Sequence, residues 1–370
     1  MRIGVLRETA PHERRVGLVP QTVQRLIEGG HQVAVEAEAG SAAGFPDPTY
    51  VAAGASVMPD RARLLASSDV VVAVQRPPVG DLGHLAAGST VVGLMHPGTA
   101  DEFLAAAAGR KLTVLSMELV PRTTKAQSMD VLSSQATVAG YQAVLLAASN
   151  CARLLPMLTT AAGTIPPGKA FVLGAGVAGL QAIATARRLG AVVSAFDVRS
   201  VVKEQVQSLG ATFVEAEAVM TAAEGVGGYA TELATDQQAR VLAAIAKHIL
   251  NMDVVVSTAQ IPGKPAPLLI TAAMVASMKP GSVIVDLAVE SGGNCELSRA
   301  GEVVRAHGVT LLGPQNLASQ IPQHASVMYS RNIQSLLEYL VKDGKLTIGL
   351  DDPITGPMCL THGGTVRTGR

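Results

Sequence analysis

The sequence predicts an α/β protein built as two doubly wound, Rossmann-like domains with parallel sheets, linked by long helices across a cleft. Three observations carry this expectation. Short apolar, β-branched runs alternate with helical stretches from the first residues onward. The alternation gives way to a long charge-free stretch and then begins again near residue 170. A chain of 370 residues is also long enough for two domains, each able to bury its own core.

In the first series Ile3–Leu6, Gln32–Glu36, Val70–Val74, Thr90–Leu94 and Thr113–Leu115 read as strands. Thr22–Glu28, Asp60–Ala66 and Asp101–Arg110 read as helices between them, several punctuated by Gly or Pro. Strand–helix alternation implies right-handed crossovers and a mostly parallel sheet. In the second series the strand candidates are Ala170–Leu173, Val192–Phe196, Asp253–Ser257, Ser282–Val285 and Val309–Leu312. Between the series lie a helix starting near Val131 and a Pro/Gly-rich turn, Thr164-Ile165-Pro166-Pro167-Gly168. A further helix, Ser326–Asp343, follows the second series, and the C-terminal tail is expected to pack back on the first domain. The expected domains are therefore 1–130 with 325–370, and 131–324. No fixed-period repeat is visible.

Composition narrows the function. Lys and Arg total 29, as do Asp and Glu, so there is no positive excess of the kind that drives nucleic-acid binding by counterion release. Hydrophobic residues at 48% against 16% charged, with a mean hydropathy of +0.33, exclude disorder and raise the question of a membrane span. The longest charge-free run, Val131 to Ala152, has 22 residues but carries Ser133, Ser134, Gln135, Thr137, Gln142, Ser149 and Asn150. That is too polar for lipid exposure, so a buried helix is expected and no direct membrane insertion. The N-terminus enters a strand-like segment without the apolar core of a signal peptide. Cys151, Cys295 and Cys359 are scattered, and the histidines have no ligand spacing, so neither a disulfide framework nor a metal site is expected.

The strongest local signal is Gly174-Ala175-Gly176-Val177-Ala178-Gly179, a G-x-G-x-x-G turn between an apolar strand and a helix, Leu180–Leu189. Gly174 allows the tight turn, Gly176 lets a pyrophosphate approach the backbone, and Gly179 lets the helix pack on the strand. Orphan N–H groups of the helix N-terminus, including those of Val177 and Ala178, face the phosphates. Asp197 ends the next strand, where an acid accepts hydrogen bonds from ribose hydroxyls and repels a 2′-phosphate. Arg199, two residues on, offers the opposite possibility of pairing with a 2′-phosphate. The carboxylate at the diagnostic position favours NAD(H) over NADP(H), and Val198 and Ala259 complete the candidate nucleotide contacts.

These motifs, with Arg14-Arg15-Val16-Gly17-Leu18-Val19-Pro20 and Val285-Asp286-Leu287-Ala288-Val289-Glu290-Ser291-Gly292-Gly293-Asn294-Cys295, resemble the alanine dehydrogenase/proton-translocating transhydrogenase family over essentially the whole chain. The stretch Pro121-Arg122-Thr123-Thr124-Lys125-Ala126-Gln127-Ser128-Met129-Asp130-Val131-Leu132-Ser133-Ser134-Gln135 resembles the Arg–Gln–Asp loop of the soluble NAD(H)-binding component in the transhydrogenase branch. The resemblance implies an oxidoreductase subunit that passes hydride directly from NADH held here to NADP⁺ held on a partner subunit. Such a step needs positioning more than acid–base chemistry, with the two nicotinamide C4 atoms within ~3–3.5 Å.

By the same resemblance Asp130 and Ser133 hold the nicotinamide carboxamide, and Gln127 sits between the two nicotinamide nucleotides. Arg122 fixes phosphates or the partner nucleotide. Read from the residues alone, Asp130 and Ser133 serve equally well as helix caps. The segment Glu224-Gly225-Val226-Gly227-Gly228-Tyr229-Ala230 resembles a loop that closes over bound nucleotide, with Tyr229 meeting it; an ordinary exposed glycine loop is the alternative. The resemblance also implies a homodimer that docks NADP(H)-binding and membrane-spanning subunits. That places the chain in the cytoplasm, peripheral to the inner membrane, with proton translocation coupled through the partners.

Alanine dehydrogenase is the competing expectation, and a plain nucleotide-binding sensor is the third. Oxidative deamination needs ionisable groups at the reacting carbon. Arg15 matches that branch's carboxylate-binding arginine and His96 its histidine, but Gln75 stands where the lysine is expected. A neutral amide cannot replace an amine in that chemistry. Glu290 stands where the dehydrogenases carry a shorter aspartate. No phosphate turn is expected in the first domain, because Gly4, Gly29-Gly30 and Gly40 do not assemble into one.

Overall fold

The computed structural model describes residues 1–215, 235–261, 264–342 and 344–367. The chain divides into two compact units, Met1–Gln135 with Ala318–Arg370, and Ala136–Leu317. Sequence patterning puts these junctions near 130 and 324. The first unit reaches further because Val131 is buried in its core with Tyr329, and the Ser319 hydroxyl accepts the backbone N–H of Arg14 at 2.7 Å.

The first unit opens with β1 (Arg2–Val5), α1 (Pro20–Glu28), β2 (Gln32–Glu36), α2 (Asp47–Ala52), β3 (Ser56–Met58), α3 (Arg61–Ala66) and β4 (Val70–Gln75). It continues with β5 (Thr90–Leu94), α4 (Asp101–Gly109) and β6 (Thr113–Ser116). Helix α5 (Val131–Asn150) begins in this unit and ends in the next. The second unit adds a short hairpin, β7 (Leu158–Thr160) and β8 (Gly163–Ile165), then β9 (Lys169–Leu173), α6 (Val177–Arg188) and β10 (Val192–Phe196). It goes on through α7 (Lys203–Ser208), β11 (Thr212–Phe213), α8 (Thr235–Ile249), β12 (Val254–Ser257), α9 (Ala272–Ser277), β13 (Val283–Asp286), β14 (Val303–Ala306) and β15 (Val309–Leu312). The chain then returns to the first unit with α10 (Pro322–Leu340), β16 (Val341–Lys342), β17 (Lys345–Leu346), α11 (Thr355–Met358), β18 (Cys359–His362) and β19 (Thr365–Val366).

The first sheet runs β19-β18-β6-β5-β4-β1-β2-β3 and the second β11-β10-β9-β12-β13-β15-β14. From β3 to β6 and from β11 to β15 the pairs are parallel, and an antiparallel strand follows on one side, β18 on β6 and β14 on β15. The parallel strands of each unit thus read 3-2-1-4-5-6 in their own order, a doubly wound Rossmann-like topology repeated without a repeat in sequence. The central strands explain the apolar runs. All five residues of β5 are buried, as are Val70 to Val74 of β4, which is what a strand covered on both faces requires.

Helix α10 is fastened to the first unit by polar groups as well as by its apolar face. The hydroxyls of Ser326 and Ser330, one helical turn apart, accept the N–H groups of Val16 and Val19 at 3.0 Å each. Between them the fully buried Tyr329 donates its hydroxyl to the carbonyl of Ala73 at 2.8 Å. The motif Arg14–Pro20 is therefore a backbone segment stitched to a helix more than 300 residues away in sequence. Among the described residues α5 alone is long and apolar enough to cross a membrane by length and composition. Its Gln135 accepts from Arg15 and its Ser134 donates to Asn332, so those polar groups are bonded within the first unit.

Candidate functional site

In the second unit the strand order reverses between β9 and β12, where the crevice at the carboxyl ends of the strands is the usual ligand position of such sheets. The glycine turn leaves β9 at this point, and its three glycines have three different surroundings. Gly174 has φ +91°, and a Cβ there would stand 2.7 Å from Oγ1 of Thr258 at the end of β12. A Cβ on Gly179 would stand 1.8 Å from the carbonyl oxygen of Gly174. Around Gly176 nothing lies within 4 Å of the same position. Two glycines are thus demanded by packing within the turn, while the middle one faces open space, as an approaching phosphate requires.

Helix α6 starts directly after Gly176, its N-cap, and no side chain caps it. Its 12 residues give it a useful macrodipole, so the first-turn N–H groups at Val177 and Ala178 form an anion-seeking end. Thr258 holds the turn from the other strand: its Oγ1 donates toward the carbonyls of Leu173 and Gly174 at 3.2 and 3.1 Å.

Asp197 follows β10 and is only 5% exposed. Its Oδ2 accepts the N–H of Ala175 inside the glycine turn at 2.7 Å. The Arg199 guanidinium lies on the same carboxylate, Nε to Oδ1 at 2.9 Å and Nη2 to Oδ2 at 2.8 Å. The Arg199 N–H adds a fourth bond, to Oδ1 at 2.9 Å. Val198 sits half-buried between these two residues.

Ala259 is held by Asn294, a residue whose role its sequence position does not disclose. Asn294 is fully buried; its Oδ1 accepts the N–H of Ala259 at 3.1 Å and its Nδ2 donates to the Ala259 carbonyl at 2.9 Å. The same amide also donates to the carbonyl of Pro267 at 2.8 Å and accepts the Ser257 hydroxyl at 2.6 Å. Asn294 is fixed in turn by Asp286, whose Oδ2 accepts the N–H groups of Asn294 and Cys295. A side-chain amide that pairs with both backbone groups of another residue acts as a strand edge of one residue. The motif Val285–Cys295 contains both Asp286 and Asn294, but their partner lies far enough away in sequence that only folding reveals it. Glu290 is exposed, with Oε2 3.4 Å from the N–H of Asn316.

The other predicted site residues lie in the first unit. Residues Thr124–Met129 form a 3₁₀ turn in which Ala126 and Met129, three apart and so on one side, are buried in the core. That anchoring leaves Gln127 exposed, and Arg122 just before the turn is exposed as well. Asp130 and Ser133 come together: the Ser133 N–H donates to Oδ1 of Asp130 at 2.9 Å and its hydroxyl to Oδ2 at 2.6 Å. This is the geometry of an N-cap on α5, the plainer of the two roles the sequence leaves open. Tyr229 and its glycine-rich segment lie outside the described residues.

At the corresponding switch point of the first unit, between β1 and β4, there is no glycine turn. Gly4 lies inside β1, where a Cβ would meet Ser68 Oγ at 2.3 Å. A polar network lies here instead, beside a cavity of about 450 Å³ lined by Arg7, Glu8, Glu13, Arg14, Arg15 and Glu38. Arg15 and Glu13 form a buried ion pair, Nη2 to Oε2 at 2.6 Å and Nε to Oε1 at 2.8 Å, and Arg15 Nη1 donates to Gln135 at 2.8 Å. Gln75 donates to Glu13 at 2.8 Å and accepts from Nε2 of His96 at 2.8 Å. Glu8 accepts the N–H groups of Val74 and Gln75, yet burial pushes its carboxyl up to about 7. Among the described residues no group of His, Cys, Asp or Glu is arranged to hold a metal ion.

The family described as alanine dehydrogenase/PNT matches the chain twice, its N-terminal domain over residues 4–139 and its C-terminal domain over residues 143–369. A Rhodospirillum rubrum protein, named as the first portion of NAD(P) transhydrogenase subunit alpha, is 44% identical over 374 residues, covering 99% of this chain and 97% of that protein. Alanine dehydrogenase 2 of Staphylococcus aureus is 28% identical over 335 residues, covering 88% of this chain and 84% of its own. A solved transhydrogenase structure from Sinorhizobium meliloti superposes with a TM-score of 0.91 at 46% identity, covering 99% of this chain and 100% of that one. With both domains matched and identity higher to transhydrogenase alpha subunits than to that alanine dehydrogenase, the chain belongs to the alanine dehydrogenase/PNT family.

Proposed function

We propose that the chain is the NAD(H)-binding subunit of a proton-translocating NAD(P) transhydrogenase. It holds NADH in the second unit for direct hydride transfer to NADP⁺ on a partner subunit. The observation that carries this reading is the switch-point turn, where Gly176 alone among the three motif glycines faces open space, beside an uncapped helix end and Asp197. The nucleotide supplies the hydride; the protein binds, orients and keeps the site free of competing groups. In this reading Gly174, Gly176, Val177, Ala178 and Gly179 receive the pyrophosphate, and Asp197, Val198 and Arg199 surround the adenosine ribose. Ala259, Asp130, Ser133 and Gln127 serve the nicotinamide end, Arg122 the phosphates or the partner nucleotide, and Tyr229 the lid.

The rival deamination chemistry is disfavoured by one arrangement in the first unit. A substrate carboxylate would need the Arg15 guanidinium, which already bonds Glu13 twice and Gln135 once. Gln75, a neutral amide, bridges Glu13 and His96 and has no amine with which to exchange a proton.

The remaining parts of the proposal are a homodimer, docking of NADP(H)-binding and membrane-spanning subunits, and a cytoplasmic position against the inner membrane. The hairpin β7–β8 and Met157 just before it offer apolar surface a second copy would cover, with Met157 at 64% and Ile165 at 48% exposed. Reconstitution tests the function. Mixed with its NADP(H)-binding partner, the chain should catalyse NADH-dependent reduction of an NADP⁺ analogue; alone with NAD⁺ and L-alanine it should produce no NADH. Robust turnover of L-alanine by the chain alone would favour the dehydrogenase reading, and no gain on adding the partner would favour a sensor.

A further inference from the structure

We propose that Arg199 determines nucleotide selectivity by being held on Asp197, so that the guanidinium able to bind a 2′-phosphate is kept from it. The inference rests on the reading that the second unit binds NAD(H). An ionised carboxylate offers about four lone-pair positions. Those of Asp197 meet four donors: the N–H of Ala175, the N–H of Arg199, and Nε and Nη2 of its guanidinium. The two backbone donors are fixed by the main chain, Ala175 in the glycine turn and Arg199 just after β10, and cannot leave without refolding it. The guanidinium is the exchangeable pair, on a side chain that is 14% exposed against 4% for Asp197.

This geometry treats two nucleotides differently. A ribose carrying free 2′- and 3′-hydroxyls brings two donors that can replace Nε and Nη2 one for one, so the buried carboxylate stays bonded. A 2′-phosphorylated ribose keeps only the 3′-hydroxyl as a donor and brings acceptors and negative charge in place of the other. If Arg199 turned to meet the phosphate, Asp197 would be left buried, charged and one donor short, next to a dianion. If Arg199 stayed, the phosphate would face the carboxylate without a cation. The pair therefore rejects the phosphorylated ribose more firmly than the carboxylate would by repulsion alone. In Asp197→Asn, an oxygen at the Oδ2 position keeps the Ala175 N–H and Nη2, while the NH₂ at the Oδ1 position opposes Nε and the Arg199 N–H donor to donor, which loosens the guanidinium.

The test uses the full chain, with dissociation constants for NADH and NADPH from nucleotide fluorescence and folding checked by circular dichroism. The parent should bind NADH in preference to NADPH. Asp197→Asn should weaken NADH about tenfold and tighten NADPH about tenfold, and the NADPH gain should vanish in the double variant Asp197→Asn/Arg199→Gln. Arg199→Gln alone should weaken NADPH several-fold more than it weakens NADH, which keeps the proposal testable if Asp197→Asn does not fold. A full NADPH gain in the double variant would overturn the role of Arg199, as would a folded Asp197→Asn without any gain. So would tighter NADPH binding by Arg199→Gln. A parent that binds neither nucleotide sinks the NAD(H) reading itself, and that result is in hand before any variant is made.

Discussion

Gly140 in α5 lies against the carbonyl of Ala178 in the first turn of α6, so that a Cβ on Gly140 would stand 2.1 Å from that oxygen. A glycine inside a helix costs about 1 kcal/mol relative to alanine. Here the cost is offset by a backbone-to-backbone approach that sets the height of the α6 N-terminus above β9. Gly140→Ala should gain that helix propensity but lose more to overpacking, about 1–3 kcal/mol. Because the displaced group belongs to the phosphate turn, NADH affinity should fall about tenfold. Thermal denaturation and NADH titration check the two effects together; higher stability with unchanged affinity would show that the contact is slack.

Asn294 is the buried keystone of the loop that carries Ala259. Truncating it leaves the Ala259 N–H and carbonyl, the Pro267 carbonyl and the Ser257 hydroxyl without their shared partner. Asn294→Ala should cost about 3 kcal/mol, less than the sum of the lost bonds because water can enter the hole. Urea unfolding measures this directly. A cost below about 0.5 kcal/mol would mean that the loop is held by its own backbone.

Asp130 and Ser133 test a cap against a ligand. If they only cap α5, Asp130→Ala should lose about 1 kcal/mol and hydride transfer should follow stability alone. On the proposed reading Ser133→Ala changes stability by no more than about 1 kcal/mol yet slows transfer in the reconstituted enzyme about tenfold. Unfolding and single-turnover hydride transfer, measured on the same preparations, separate these outcomes.

Glu8 gives the first unit a pH dependence of predictable sign. Burial raises its carboxyl from an ordinary 4.5 to about 7, against the two backbone N–H groups that favour the charged form. The folded state therefore holds the proton more tightly than the unfolded chain. Its contribution is fully present below pH 4.5 and is lost as pH rises through about 7. Glu8→Gln cannot titrate, so the parent should lose roughly 3 kcal/mol relative to this variant between those limits. Urea unfolding of the two proteins across that range checks it; parallel pH profiles would show that Glu8 is ionised in the folded protein.

Much of the architecture was legible because parallel strands covered on both faces leave a strong trace. Val70–Val74 and Thr90–Leu94 are apolar runs too short for a helix, and the folded chain has strands at both. The edge strands and a separate surface hairpin left no such trace. Ser56–Met58, Thr212–Phe213 and the exposed hairpin of Leu158–Thr160 with Gly163–Ile165 have neither length nor alternation to betray them. Val303–Ala306 and Cys359–His362 join their sheets antiparallel, and their partners are chosen by the open edge of each sheet.

The turn of Gly174, Gly176 and Gly179 and the acid at Asp197 were set by sequence, because a phosphate turn needs backbone conformations and close approaches that only glycine allows there. Tertiary structure decided what those residues meet. It placed Thr258 and Asn294 around the turn and Ala259, paired Asp130 with Ser133, and filled Arg15 with Glu13 and Gln135. Above all it put Arg199 on Asp197. Spacing in sequence reveals that a cation and an anion are near each other; only packing decides whether they hold one another or remain available to a ligand.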